Sequence, residues 1–384
     1  MKAKKWVILF TLAIVLCVLF IPAVNYIVDP FGYFRAQGGE YKELNEDYYL
    51  REIKAEHIRN FPDDYDAYLI GGSKAGAIQT EKLKELDGYN YYNCWQLSGN
   101  FQDYYYYTKF VLEHAKPKKI LLHLSTTELK SNDREMYGDI YQIPAQVKGE
   151  SKVSEVFDFL YKNLSASVEE LKKDRSEYYP CSRTGERNLT KYYNYYEEHR
   201  NDPDTYYDFL FKKEVDQYLP YLTEGVPDKS EVIESCLNDL KAIKQMCDEK
   251  GVELQVICGA AFIGELVRYE GPNLYYFMEN LVQITGGVWT FNDVNNLSCN
   301  LYNFYNTTHY YYEIGDLMID TITGKKKVDG FGIYLTMNNI GPYIKERKAK
   351  WEMVKQYYNQ NGKLPYTYAD SEYNIEKYHI QNTK

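Results

Sequence analysis

The chain reads as an α/β protein built around a parallel sheet, on three observations. Short apolar runs that fit buried strands recur along it, amphipathic helical segments separate them, and Gly, Pro or polar clusters close each unit. With 384 residues and 45% hydrophobic content there is enough material for a sizeable core. Strands alternating with helices imply right-handed crossovers, and functional groups then belong at the carboxyl ends of the strands.

The first element precedes that pattern. Met1-Lys2-Ala3-Lys4-Lys5 leads into residues 6–24, a run without charge. As a helix, about 19 residues span about 28 Å, close to the hydrocarbon thickness of a bilayer. A signal anchor over residues 1–28 is therefore predicted, with a cytoplasmic N-terminus and an external body, because the basic residues flank its start. A cleaved signal peptide is the rival reading. The run is longer than a usual apolar signal core, however, and Ile21-Pro22-Ala23-Val24-Asn25 has no Ala-x-Ala site. Leu16, rather than a small residue, precedes Cys17, which argues against a lipoprotein cysteine.

A polar helical segment at 47–60 then leads to a first strand at 67–70, bounded by Asp66 and Gly71. Residues 89–95 read as a second strand, 101–115 as a helix stopped by Pro117, and 119–124 as a third strand. Residues 231–250 place Val232, Ile233, Cys236, Leu237, Leu240, Ile243 and Met246 at helical spacing and end at Gly251. A fourth strand at 252–261 and a fifth at 288–291 follow, and residues 313–322 form an amphipathic helix. Residues 126–229 interrupt the alternation and are too long for a loop. They are read as an inserted cap over the strand ends, carrying a helix at 153–173, within a domain spanning 29–325. Their tyrosines, Tyr192, Tyr193, Tyr195, Tyr196, Tyr206 and Tyr207, suit a carbohydrate-facing surface. They equally suit a compositional habit in a chain with 43 tyrosines. Residues 326–384 are expected to be a peripheral tail with a polar helix at 346–359.

Composition removes several classes of function. A net charge of −10, with no Lys/Arg stripe, excludes nucleic-acid binding. Neither glycine-rich phosphate loop follows a strand, so nucleotide binding lacks support, and there is no His-Glu-x-x-His. No cofactor and no metal are expected; Asp63, Asp64 and Asp66 read as a solvated turn. The cysteines Cys94, Cys181, Cys236, Cys247, Cys258 and Cys299 have wide, irregular spacings and no Cys-x-x-Cys. Disulfides and small buried thiols both remain open.

The candidate chemistry begins at Gly71-Gly72-Ser73, where the first strand turns toward a helix. Two glycines permit a tight turn, and N–H groups there can face an oxyanion beside the serine. A serine hydroxyl needs a base to take its proton, and six histidines are available. His57 and His114 lie in helical stretches, and His199 and His379 in polar segments. His123 falls inside the third strand, a position more often structural. His309 follows the last strand and a 299–305 loop and precedes the helix at 313–322, which can lock its position.

These stretches resemble the SGNH/GDSL hydrolases: Gly71-Gly72-Ser73 after the first strand, Gly99-Asn100 after the second, and Asn306-Thr307-Thr308-His309 before the last helix. More narrowly, Val28-Asp29-Pro30-Phe31-Gly32-Tyr33, the 93–103 segment around Gly99 and the 303–310 segment are similar to membrane-anchored proteins of bacterial envelope-polymer clusters, including relatives of the teichoic-acid D-alanylation protein. The resemblance runs from about 28 to 322, through short motifs. It implies a three-layer flavodoxin-like SGNH fold with a parallel sheet, Ser73 as nucleophile and His309 as general base. Through the same resemblance, Ser73 and Gly99 supply backbone oxyanion donors, and Asn100 is a side-chain donor by proximity.

Two departures matter. The family's asparagine after the third strand is not evident in Ser125-Thr126-Thr127-Glu128, and the family's aspartate three residues before the histidine is Asn306. In a serine protease the second change traps the wrong imidazole tautomer and costs about 10⁴ in turnover, although an amide can still orient a histidine through its carbonyl oxygen, without the full charge that stabilises imidazolium. Asp103 and Asp293 are candidates to substitute for it. The expectation is an external, membrane-anchored serine esterase or O-acyltransferase acting on acyl esters of a cell-envelope polysaccharide or teichoic-acid-like polymer. The alternative is a catalytically inactive relative that binds or assembles such polymers.

Overall fold

A computed structural model describes residues 2–34, 50–133, 141–172 and 181–368. Parts of the helices expected at 47–60 and 153–173, together with His379 and the end of the tail, lie outside them.

The chain opens with α1 (Lys2–Val28), long and apolar enough to cross a membrane, and α2 (Leu50–Asn60). The first half of the sheet follows as β1 (Ala67–Gly71), α3 (Thr80–Asp87), β2 (Tyr91–Trp95), α4 (Phe101–His114) and β3 (Lys119–Leu124). The inserted region holds α5 (Ala145–Lys148), α6 (Lys152–Lys162), α7 (Leu164–Glu170), α8 (Thr190–His199), α9 (Pro203–Leu210), α10 (Lys212–Tyr218) and α11 (Tyr221–Glu224). Then come α12 (Ser230–Lys250), β4 (Glu253–Cys258), α13 (Ile263–Val267), α14 (Pro272–Thr285), β5 (Val288–Thr290), α15 (Tyr312–Ile322), β6 (Ile333–Leu335) and α16 (Ile340–Asn361).

The six strands form one sheet in the order β2-β1-β3-β4-β5-β6, parallel except for β6. Alternation along the strands explains its two faces, because successive side chains point to opposite sides. Leu69, Leu121 and Ile257 turn one way and pack with Ile314, Leu317 and Met318 of α15. Tyr68, Ile70, Ile120, Leu122 and Val256 turn the other way, onto α4, α12 and α14 through Phe110, Val111, Leu237, Leu240 and Leu281. Both faces are thus covered, which is why these strands read as continuous apolar runs. Truncating a fully buried residue such as Leu121 to Ala would cost about 2–5 kcal/mol.

Two expectations change. The inserted region is not a single cap: α6 and α7 pack on α1, whereas Tyr196, Tyr206, Phe211, Val215 and Leu222 enter the core on the α15 side. Nor are residues 326–368 peripheral. β6 pairs antiparallel with β5, and Trp351 and Val354 of α16 are core residues. The apolar positions of α16 were masked by its many charged residues, and a three-residue edge strand leaves little periodic signal.

Candidate active site

The strand order reverses beside β1, whose neighbours are β2 and β3, so the carboxyl ends of these strands frame a crevice. β1 ends at Gly71, where a Cβ would lie 2.7 Å from the carbonyl oxygen of His123 on β3. The chain then enters a 3₁₀ turn, Ser73–Ala77, instead of the expected helix, and α3 begins only at Thr80. Asn93 on β2 holds this turn by donating Nδ2–H to the carbonyls of Ala75 (2.8 Å) and Ile78 (2.9 Å). From the inserted region, the Arg187 N–H donates to the Gly76 carbonyl at 2.9 Å. Ser73 itself stays half-buried and reachable.

His309 sits on a loop folded back on itself. Phe304 and Tyr310 form a bridge across it, and the Tyr305 N–H donates to the His309 carbonyl at 3.0 Å. The Asn306 side-chain oxygen accepts the backbone N–H groups of Thr308 and His309, each at 2.9 Å. Those two donors dictate which end of the amide is oxygen. The His309 Nδ1, 2.9 Å from the same oxygen, must therefore carry the proton and donate it. Nε2 is left as the acceptor, and it lies 2.6 Å from Ser73 Oγ. Asn306 thus orients the ring through its amide oxygen, the arrangement of Cys-His-Asn sites, and supplies no charge.

Tyrosines of the inserted region brace this loop. The Tyr305 ring stacks on His309 (centroids 5.3 Å apart, 8° between planes) and is backed by Tyr192 at 4.1 Å. Arg187 donates to the hydroxyls of Tyr305 (3.1 Å) and Tyr192 (2.9 Å), and the Tyr206 hydroxyl donates to the Phe304 carbonyl at 2.6 Å. Both readings of these tyrosines miss this role. Tyr196 and Tyr206 are buried, and the group works as a bracket for the histidine loop.

The electrostatics are those of a base without a counter-charge. Burial, then the positive charges of Arg187 and Lys74, hold the His309 pKa well below its ordinary value. Neither carboxylate considered as a substitute is free for it. Asp103 pairs with Arg51 at 3.0 Å and caps α4, and Asp293 pairs with Lys350 at 2.7 Å. Lys74 is committed to Glu265 at 2.6 Å, and both are buried. His123 is also buried; its Nε2 meets the Tyr310 hydroxyl at 3.1 Å, and burial pushes its pKa down to about 3.

The oxyanion side differs from expectation in one respect. The Gly99 N–H donates to the Gln96 carbonyl at 3.1 Å, in a turn where Ser98 adopts φ 50°. Asn100 caps α4, its Oδ1 accepting the Asp103 N–H at 3.2 Å, while its buried Nδ2 has no hydrogen-bond partner among the described residues. A Cβ on Gly99 would lie 2.9 Å from the Gly72 Cα, so Ser73 and Asn100 flank a contact between two backbones. The Ser73 N–H is the first of its 3₁₀ turn, where the turn itself offers no acceptor.

Where the resemblance called for an asparagine after the third strand, the chain places Glu128. Its Oε1 accepts the Tyr104 hydroxyl (2.6 Å) and its Oε2 the Ser125 N–H (2.8 Å), against the back of Gly72. Burial pushes its pKa up to about 8, favouring the neutral acid. Glu128, Arg187 and Tyr305 carried no motif, and only the tyrosine run hinted at the bracket. Cys94, Cys181, Cys236, Cys247, Cys258 and Cys299 are free thiols. A scan against protein-family models finds no match to this chain, and a search of curated proteins finds none either.

Proposed function

We propose that this chain is a membrane-anchored, extracytoplasmic serine esterase or O-acyltransferase of the SGNH/GDSL type, acting on acyl esters of a cell-envelope polysaccharide or teichoic-acid-like polymer. The observation that carries the reading is the 2.6 Å approach of Ser73 Oγ to His309 Nε2, with the imidazole held in the accepting tautomer. The strand order β2-β1-β3-β4-β5, with helices on both faces, supports a three-layer flavodoxin-like arrangement. The apolar α1 supports an anchor, and Lys2, Lys4 and Lys5 at its start support a cytoplasmic N-terminus.

In this reading the Ser73 oxygen attacks the acyl carbon as its proton passes to His309 Nε2. The carbonyl electrons move onto oxygen, for which the Ser73 N–H and the Asn100 Nδ2, without a partner among the described residues, are the proposed donors. Collapse of the intermediate expels the alcohol oxygen, which takes the proton back from Nε2 and leaves an acyl-serine. Water or a sugar hydroxyl then repeats the sequence in reverse roles, giving hydrolysis or transfer.

Two observations favour a second reading, a non-catalytic relative that binds or assembles the polymer. Asn306 brings no charge to stabilise imidazolium, and the Gly99 amide is engaged in its turn. Hydrolysis of p-nitrophenyl acetate by the full chain and by Ser73→Ala separates the two. The enzyme reading expects a serine-dependent rate, and equal rates remove it.

A further inference from the structure

We infer that α6 and α7 rest on the lipid surface at the point where α1 leaves the bilayer, giving the body a second, interfacial contact with the membrane. This rests on reading α1 as a spanning helix. Trp6 and Tyr26 are both exposed on α1. They stand about 30 Å apart along it, the separation of the aromatic belts at the two faces of a bilayer. Tyr26 then marks one headgroup layer, and its neighbour Asn25 is where the body attaches. The Asn25 Nδ2–H donates to the Leu160 carbonyl of α6 at 2.8 Å, and its Oδ1 accepts the Ser167 hydroxyl of α7 at 2.7 Å. Just beyond, Tyr33 stacks on Phe159 with centroids 4.2 Å apart. The Leu160 end of α6 and α7 at Ser167 are thereby held at the level of the headgroups, while the start of α6 is tied to α2 through Lys152.

At that level α6 leaves its apolar stripe open. Val153 and Phe157, one turn apart, are 76% and 57% exposed, and no residue of α6 is buried. α7 adds Val168, its C-cap is Leu171, and the end of α1 adds Ile27, all exposed. An apolar stripe on an otherwise charged helix, at the height of the headgroups, is the pattern of an interfacial helix. Lipid is the occupant favoured because α6 and α7 pack against α1, the helix that itself enters the bilayer, whose last turn also exposes Ile27. An anchor alone lets the body swivel about a single helix, whereas an anchor with a surface contact sets the height and tilt of the Ser73 crevice above the membrane.

The test uses the full chain in vesicles of phosphatidylcholine and phosphatidylglycerol. A nitroxide is coupled to p-acetylphenylalanine in place of Phe10 or Phe157, which avoids the native thiols, and collisions with oxygen and with a water-soluble nickel chelate are measured. The expected result is oxygen-dominated relaxation at both positions, the ratio at 157 lying between that at 10 and that of free label in water. Chelate-dominated relaxation at 157, with 10 in lipid, overturns the interfacial contact and leaves the anchor standing. Chelate access at both overturns the two together. A label at 157 immobilised and shielded from both collision partners would mean that a protein covers the stripe, and this too overturns the inference.

Discussion

The Asn306 side chain fixes the tautomer of His309 through backbone geometry. One amide oxygen accepts the N–H groups of Thr308 and His309 and the ring Nδ1–H, all at 2.9 Å. Rotating the amide would set its NH₂ against three donors, so the arrangement is self-enforcing. An aspartate here would do two jobs, orienting the ring and neutralising its charge. Asn306 does the first.

Asn306→Asp should therefore raise esterase activity by the electrostatic share alone. The carboxylate keeps the same three donors and adds an opposite charge beside the imidazolium. We expect kcat/KM on an acetyl ester to rise roughly 10–100-fold, short of the ~10⁴ seen where the tautomer is also lost. Steady-state kinetics of the two proteins decide it, and an unchanged kcat/KM would show that imidazolium stabilisation does not limit this site.

The acid limb of the wild-type pH profile should lie unusually low. Only neutral imidazole can accept the Ser73 proton, so activity is lost as pH falls through the His309 pKa, which burial, Arg187 and Lys74 depress. kcat/KM should hold steady from pH 7.5 to 6.5, where an ordinary histidine would already be about half protonated. In Asn306→Asp the limb should move upward. A wild-type limb at or above pH 6.5 would contradict the depressed base.

Glu128 should make the fold less stable as pH rises. Its folded pKa, about 8, lies above the ordinary glutamate value of 4.5, so the folded state holds more protons between those values. The stabilisation is complete below about pH 4.5 and disappears as pH climbs through 8, an effect of order several kcal/mol. Glu128→Gln keeps the shape without a titrating carboxyl, its amide oxygen still accepting from the Ser125 N–H. Urea melts at pH 5, 6.5 and 8 should show a downward trend in wild type that the variant flattens. Parallel trends in the two proteins would mean that Glu128 is ionised in the fold.

Tyr206→Phe tests the bracket behind the histidine. It removes the hydroxyl that donates to the buried Phe304 carbonyl, at a cost of about 1–3 kcal/mol. Because Phe304 anchors the loop that presents His309, kcat should fall with little change in KM. A loss of stability with kcat intact would assign Tyr206 to packing alone.

The sheet was legible because its strands are buried on both faces and read as apolar runs. β3 was expected and found at Lys119–Leu124, while β5 ran one residue shorter than the 288–291 read from sequence. Ser73 and His309 were legible as the ends of two loops, and the structure brings them together. Asn100 was named by proximity and emerges with a donor that has no partner among the described residues. Gly99 differed because an amide's partner depends on the turn around it, and a non-glycine left-handed residue, Ser98, gives no local signal. Arg187 and Glu128 stayed hidden because their roles arise from contacts across distant segments, which no spacing encodes. The tyrosine run was visible, but burial alone separates a bracket from a surface.

The 236 residues separating Ser73 from His309 also set a schedule. At about 5–20 residues per second of synthesis, the serine waits roughly 10–50 s for its base. Early in that interval its turn gains Asn93, but it lacks the Arg187 clasp for about the first half of the delay. In the proposed reading, reactivity is thus withheld from every incomplete chain: a product interrupted before residue 309 carries the hydroxyl without the histidine that would deprotonate it.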